Sequence, residues 1–256
     1  MVKQQQPRIL FDLHSEIRLN FTDIDETFLT STSPLFRGAV YILRHLQKSG
    51  PIGLTKTGAM KRYFVHEAAK EFDWPGLEHE FLFSVNKVLN EQDFMPLECL
   101  HVMLKGLGLM RKKADELRIT SKGKLALENP IDLFKTVNDG LFNKFNHRPD
   151  IEFPFGKWDV WFNVLNVELH TRGAMTEEDL FALFNGECNY RTNLNEFMSF
   201  SVHILQRLEW IGFIEPEHSD TKVDHRSLKA IRLRKSNLWR TCLKLETDQM
   251  IGLRVV

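Results

Sequence analysis

Two carboxylates and a hydroxyl lie close together near the start of the chain. Asp23, Asp25 and Thr27 alternate along the segment Asp-Ile-Asp-Glu-Thr. Two aspartates on one loop can supply a nucleophile and a general acid, the two roles that covalent phosphoryl transfer requires. Aspartate and threonine also begin helices, because their side chains accept hydrogen bonds from the free backbone amides of a first turn. The spacing therefore leaves a phosphotransferase site and a capped loop as alternatives.

The Asp-x-Asp-x-Thr spacing resembles the first motif of the haloacid-dehalogenase phosphotransferases. The resemblance implies that Asp23 would be the nucleophile and Asp25 the general acid. Glu26, however, stands where that family has a glycine, and no acidic pair follows a later parallel strand. We therefore favour the capped loop before a helix.

No other pattern indicates catalysis or a bound cofactor. Ten histidines and three cysteines are present, but none has the spacing of a zinc site. No Gly-x-Ser-x-Gly segment is present to form a nucleophile elbow. The three cysteines are far apart and odd in number, which is typical of reduced thiols in a cytosol. The sequence predicts a non-enzymatic, cytoplasmic protein without a metal or cofactor.

Basic residues near the C-terminus are the strongest candidates for binding. From Arg226 to Arg240 the chain carries no acidic residue, and cations on a hairpin can contact phosphate. Polar side chains on the preceding helical segment are of types that bond to base edges. The candidate nucleic-acid-binding residues are Asn195, Ser199, His203, Gln206, Arg207, Arg226, Lys229, Arg232, Arg234 and Lys235.

The first half of the chain offers a smaller set of cations. Its candidate third helix carries Glu98, His101 and Lys105, which make a poorer surface for reading bases. The cations are Lys56, Lys61, Arg62, Arg111, Lys112, Lys113, Lys122 and Lys124.

Both halves of the chain follow the same order of elements. Apolar residues at helical spacing, as in 35–46 and 158–170, indicate amphipathic helices. Each half reads as helix, short strand, helix, helix, hairpin and helix, which is the winged-helix order. We predict a mainly α fold with short β-hairpins, arranged as tandem winged-helix-like domains. The predicted parts are an irregular N-terminal segment, 1–33; domain 1, 34–130; a linker helix and loop, 131–155; and domain 2, 156–256.

Three segments carry a resemblance to a known family. They are Ile52-Gly-Leu-Thr-Lys-Thr-Gly58, Leu107-Gly-Leu109 and Leu117-Arg-Ile-Thr-Ser-Lys-Gly123. Together they resemble the helical C-terminal region of the open-reading-frame-three-like family, first named from a root-inducing plasmid, over residues 34–135. The resemblance implies a helical fold and a prokaryotic or mobile-element origin, and it assigns no catalytic residue.

Charge and composition limit the classes of partner. With 34 basic and 34 acidic residues, the chain cannot bind nucleic acid through bulk charge alone. No run of 18 apolar residues indicates a membrane span. Our leading hypothesis is a protein that binds double-stranded DNA, such as a regulator from a plasmid, phage or defence-related locus.

The alternative hypothesis is a protein–protein adaptor or inhibitor, or a homodimer, built on the same units. Phenylalanines near the join of the two halves, Phe142, Phe145, Phe153 and Phe155, form either an internal core or an exposed docking patch. We favour the core. Fold alone does not choose between a DNA reader and an interaction module.

Overall fold

The chain forms two compact units. The computed structural model describes residues 18–19, 21, 24–145, 158–187, 192–217 and 231–252. The first unit contains residues 23–147, and the second contains residues 1–22 and 148–256. Strand β1, Arg18–Leu19, therefore belongs to the second unit although it begins the described chain. No helix within the described ranges is long and apolar enough to cross a membrane.

The first unit is built mainly of helices whose starts are encoded locally. Ser33 caps the second helix and Pro34 occupies its first turn, where a missing N–H costs nothing. Its buried face includes Leu35, Ile42 and Leu43. The helices are α1 (Glu26–Thr32), α2 (Pro34–Lys48), α3 (Arg62–Glu71), α4 (His79–Val85), α5 (Met95–Gly106), α6 (Ser121–Glu128) and α7 (Pro130–Asp139), with a 3-10 turn at Glu91–Asp93 and a π-helical turn at Gly140–Lys144.

Helix α1 lies in the segment that we expected to be irregular. Asp25 caps it, because the backbone N–H of Phe28 donates to Asp25 Oδ1 at 2.7 Å. Asp25 thus performs the capping role that we favoured over catalysis, whereas Asp23 lies outside the described residues.

The first unit also contains a small antiparallel sheet. Its strands are β2 (Ile52–Gly53), β3 (Met110–Lys113) and β4 (Glu116–Ile119), in the spatial order β2-β4-β3. Ile52 lies opposite Leu117, and both are fully buried against the helices. The central strand β4 therefore joins β2 to the β3–β4 hairpin.

The second unit also combines helices with a three-stranded antiparallel sheet. Its helices are α8 (Trp158–Arg172), α9 (Glu177–Asn185), α10 (Leu194–Phe200), α11 (Gln206–Ile211), α12 (Asn237–Cys242) and α13 (Asp248–Gly252), with a π-helical turn, Ser201–Leu205, between α10 and α11. Its later strands are β5 (Ala174–Thr176), β6 (Ile214–Pro216), β7 (Arg232–Lys235) and β8 (Leu243–Lys244). They form an antiparallel sheet in the order β5-β7-β6, while β8 pairs with β1.

Aromatic side chains fill the core of the second unit. Phe162 lies between Phe213 and Trp239, with ring centroids 5.7 and 5.4 Å away, respectively. Phe181 and Phe200 pack edge to face at 5.7 Å. Such contacts add stability beyond the burial of their apolar area.

The expected mainly α fold with short antiparallel hairpins is confirmed. Some details differ. The strand period of two in Ile231-Arg-Leu-Arg234 predicts that Ile231 and Leu233 both face the core. Leu233 is fully buried, but Ile231 is 53% exposed. In the first unit, Phe142 is buried and Phe145 is half-buried, while Phe153 and Phe155 lie outside the described residues.

Candidate nucleic-acid interface

The helix expected to read bases in the second unit turns three of its five candidate residues inward. Ser199, His203 and Arg207 are buried, so the expectation of an exposed reading face was wrong for them. They are spaced four residues apart and therefore share one side of the helix, and that side packs into the unit. Asn195 is exposed and Gln206 is half-buried.

The expected phosphate-binding cations of strand β7 are engaged within the second unit. Arg232 lies 3.2 Å from the Glu217 carboxylate and donates to the Ala174 carbonyl at 2.5 Å. Arg234 lies 2.9 Å from Glu215 on the neighbouring strand. Both charges are thus neutralised locally. Two further candidates, Arg226 and Lys229, lie outside the described residues.

Lys235 is buried rather than exposed to a ligand. It shares the inward side of β7 with Leu233, because side chains alternate along a strand. Its Nζ donates to Asn166 Oδ1 at 2.6 Å, and burial lowers the pKa of Lys235 to about 8. Lys235 is therefore poorly placed for the phosphate contact that we expected of it.

Exposed cations gather instead at one end of the sheet in the first unit. We call Lys56, Lys61, Arg111, Lys112 and Lys113 the basic cluster; all five are exposed. Within the described residues, none of the five forms an ion pair or a side-chain hydrogen bond. Their charges are therefore free to meet an external anion.

Long-range pairing brings the two parts of the basic cluster together. The backbone N–H of Leu54 donates to the Asp115 carbonyl at 2.7 Å, which places the loop after β2 beside the turn of the β3–β4 hairpin. Lys56 lies in that loop. Lys61 follows it, and the Lys61 backbone N–H donates to the Gly53 carbonyl at 2.9 Å.

Nearby acids reduce this positive charge only in part. Glu116 pairs with Arg118 at 2.8 Å on the same strand, which neutralises both. Asp115 is the exposed acid at the hairpin turn. The end of the hairpin therefore keeps a local excess of positive charge, although the whole chain is neutral.

A buried carboxylate holds the loop that carries Lys56. Glu91 Oε2 accepts from the backbone N–H of Met60 at 2.5 Å. Glu91 Oε1 lies 2.6 Å from Nδ1 of His101 on α5. Both side chains are almost fully buried. Glu91 therefore connects the loop to helix α5.

The hairpin is anchored at its base by Thr120 and Gly123. Thr120 Oγ1 donates to the Gly108 carbonyl at 2.7 Å and also caps α6 by accepting from the Gly123 N–H at 3.0 Å. A Cβ at Gly123 would lie 2.1 Å from the Leu109 carbonyl oxygen. The close approach explains a glycine here without any special backbone angle.

Replacing Gly123 by alanine is expected to destabilise the first unit by about 1–3 kcal/mol, because the new methyl group must displace backbone. Urea unfolding measured by circular dichroism tests this expectation. Gly106→Ala is the matched control, since nothing lies within 4 Å of its Cβ position, and it is expected to stabilise helix α5 slightly. Equal unfolding midpoints for the two variants would contradict the steric explanation.

A groove between α2 and α3 offers an alternative site for a small molecule. It holds about 400 Å³. The Tyr41 hydroxyl donates to Glu67 at 2.5 Å, and His45 lies 3.3 Å from the same carboxylate. Arg44 pairs with Glu26, and Arg37 donates to three backbone carbonyls. These groups satisfy one another, so the groove offers less free charge than the basic cluster.

Metal chemistry finds no support in the described ranges. There, no three histidine, cysteine, aspartate or glutamate side chains are grouped closely enough to hold a metal ion.

Comparison with known proteins corrects the family expected from the sequence. Residues 31–132 match the Y4jL N-terminal domain family, and residues 147–229 match the y4jL C-terminal domain family. The resemblance to the open-reading-frame-three-like family was therefore wrong; short Thr-x-x-Gly elements such as Ile119–Gly123 reflect the hairpin anchor described above. No solved structure is significantly similar to the chain.

A bacterial relative matches more than half of the chain. The protein y4jL of Sinorhizobium fredii (strain NBRC 101917 / NGR234) is 39% identical over 160 residues, which cover 61% of this chain and 71% of that protein. The chain belongs to the Y4jL family.

Proposed function

We propose that both units are winged-helix domains and that this protein is a non-enzymatic, cytoplasmic DNA-binding protein. The order of elements supports the fold assignment. In each unit a long helix precedes a short strand, further helices follow (α3 to α5 in the first unit, α9 to α11 in the second), and two more strands complete the sheet. Counted along the chain, the first strand of each three-stranded sheet pairs with the third strand and not with the second: β2 pairs with β4, and β5 pairs with β7. This is the strand pairing of a winged helix.

The observation that carries the proposed binding is the basic cluster. Its five exposed cations lie along β3 of the β3–β4 hairpin, which corresponds to the wing, and on the segment beside the hairpin turn. Because side chains alternate along a strand, Lys112 lies on the opposite face of β3 from Arg111 and Lys113. Phosphate contacts from a wing position a protein on a duplex. Since each neutralised phosphate releases condensed counterions, the affinity of such an interface falls steeply with salt.

This proposal moves the interface from the second unit to the first. Arg232 and Arg234 are already paired with glutamates, and Lys235 is buried. Moving Arg232 or Arg234 to phosphate would break an existing contact, whereas Lys112 and Lys113 have none to lose within the described chain. The free cations are therefore the better phosphate ligands.

Replacing Lys112 and Lys113 together by alanine is expected to weaken duplex binding by roughly tenfold or more at low salt. The slope of log affinity against log salt should also fall by about 2, since two phosphate contacts disappear. Fluorescence anisotropy with a labelled mixed-sequence duplex, at about 50 and 200 mM salt, measures both quantities.

The matched control is Lys70→Ala with Lys87→Ala. Both lysines are exposed in the same unit but lie outside the basic cluster, so this variant makes the same change in net charge. It is expected to bind almost as tightly as the unmodified protein. Equal losses in the two double variants would point to bulk charge instead of a defined interface, and no binding at low salt would exclude the proposed function.

A protein-binding role is the second candidate, and one observation favours it. Leu194 and Met198, one turn apart on α10, are 46% and 43% exposed. Exposed apolar side chains at this spacing can form part of a docking surface. Under this alternative, DNA affinity would be absent and the Lys112/Lys113 variant would behave as the unmodified protein does.

A further inference from the structure

We infer that the protein binds duplex DNA independently of base sequence, because its wing presents free cations while its third helices present few groups that read bases. The inference rests on the proposed function and specifies its substrate class. It concerns specificity, so its failure can be separated from a failure to bind DNA.

Helix α5 of the first unit is fully described and offers a poor reading surface. Its outward positions include Glu98, Val102 and Lys105, while most of the others are buried. Val102 can only make apolar contact. Glu98 can only accept hydrogen bonds from base amino groups, and its charge is repelled by phosphate. Lys105 lies in the last turn, away from the N-terminal residues that usually reach base edges.

The corresponding helix of the second unit also has few outward base-reading groups. Ser199, His203 and Arg207 face the interior. Among its exposed positions are Leu194, Glu196 and Met198, of which two are apolar and one is acidic. Asn195 is exposed and Gln206 is half-buried. Both are of types that read adenine, but each such contact contributes only about 1–3 kcal/mol of discrimination.

The exposed surface also favours a duplex over a single strand. Proteins that bind single strands without sequence preference stack successive bases on exposed aromatic rings. Among the described residues, Tyr63 is the exposed large aromatic side chain, and its hydroxyl accepts a hydrogen bond from the Gly53 N–H at 3.0 Å. One tethered ring does not form a series of stacking platforms.

A selection experiment with the full chain tests the inference. Duplexes with a randomised central region are incubated with the protein at low salt, and the bound and unbound pools are sequenced. We expect no enriched motif, and we expect anisotropy to give affinities within about tenfold for AT-rich, GC-rich and mixed duplexes. A specific reader would separate them by about a thousandfold or more. A labelled single strand of the same length should bind more weakly than each duplex.

Two variants make the test sharper. Asn195→Ala is expected to change the affinity for AT-rich, GC-rich and mixed duplexes alike, by a few-fold at most. Glu98→Ala is expected to raise affinity for all duplexes alike by a few-fold, because it removes a charge that phosphate repels. An enriched motif that Asn195→Ala abolishes, or tighter binding to the single strand, would overturn the inference while leaving DNA binding intact. The absence of salt-dependent binding to any duplex would instead overturn the proposed function.

Discussion

Replacing Glu91 by alanine is expected to cost the first unit about 2–6 kcal/mol of stability, because this buried carboxylate is the partner of two buried polar groups. The change leaves the Met60 N–H and His101 Nδ1 without the carboxylate that each now contacts. Each buried polar group deprived of its partner costs about 1–3 kcal/mol. Hydrogen exchange of peptides from α5, measured by mass spectrometry, reports the opening free energy of this region.

The measurement must report on the first unit separately. Tryptophan fluorescence would mainly follow the second unit, because four of the five tryptophans lie there. Glu116→Ala is the matched control, because Glu116 forms an exposed ion pair with Arg118. Such a pair contributes at most about 1 kcal/mol. The double variant Glu91→Ala, His101→Ala should cost less than the sum of the single changes. If α5 exchanged equally fast in the Glu91 and Glu116 variants, the buried contact would have no special role.

The elements of the fold were predictable because their signals are local. Ser33 and Pro34 mark the start of α2, and Leu35, Ile42 and Leu43 repeat at helical spacing. Thr120 before Ser-Lys-Gly similarly marks the start of α6. Such caps and periods act within a few residues, so they are visible without knowledge of tertiary contacts.

The candidate nucleic-acid interface was harder to predict, because the charge of a residue does not show whether its side chain is exposed. Leu233 and Lys235 are two residues apart, so the strand period already places Lys235 on the buried side. Its amine is satisfied there by Asn166, a residue 69 positions away. The partners of Arg232 and Arg234 are Glu217 and Glu215, which lie 15 and 19 residues earlier in the chain, and no local pattern indicates these pairs.

The basic cluster likewise depends on contacts distant in sequence. Lys56 and Lys113 are far apart in the chain, and only the pairing of β2 with β4 brings their segments to the same end of the sheet. The sequence showed both groups of cations but gave no reason to join them. The order of the strands in the sheet, which depends on tertiary packing, therefore determines which cations of this neutral chain lie near one another.

The second unit contains a carboxyl group, that of Glu209, which binds its proton unusually tightly. Burial raises the pKa of Glu209 from 4.5 to about 8, and the nearby Glu177 carboxylate adds to this effect. Burial also raises the pKa of Glu177, although the Ser201 hydroxyl donates to it at 3.0 Å and opposes the shift. Glu209 is therefore mostly protonated at neutral pH in the folded protein.

Replacing Glu209 by glutamine is expected to make the second unit more resistant to alkaline pH. The folded carboxyl binds its proton more tightly than the unfolded one, so the stability present below about pH 4.5 is lost as pH rises through about 8. We expect this loss to be about 2–4 kcal/mol, since partial exposure reduces the full linkage value. Because glutamine cannot ionise, the variant lacks the pH-dependent stability that Glu209 contributes. A smaller pH dependence from Glu177 remains.

Urea unfolding monitored by tryptophan fluorescence tests this expectation at about pH 5, 7 and 9, because four tryptophans report on the second unit. Glu196→Gln is the matched control: it makes the same substitution at an exposed position on α10 and should retain the pH dependence of the unmodified protein. If Glu209→Gln lost stability between pH 5 and 9 as steeply as this control, Glu209 would ionise normally, and the acid pair would not limit the alkaline stability of the unit.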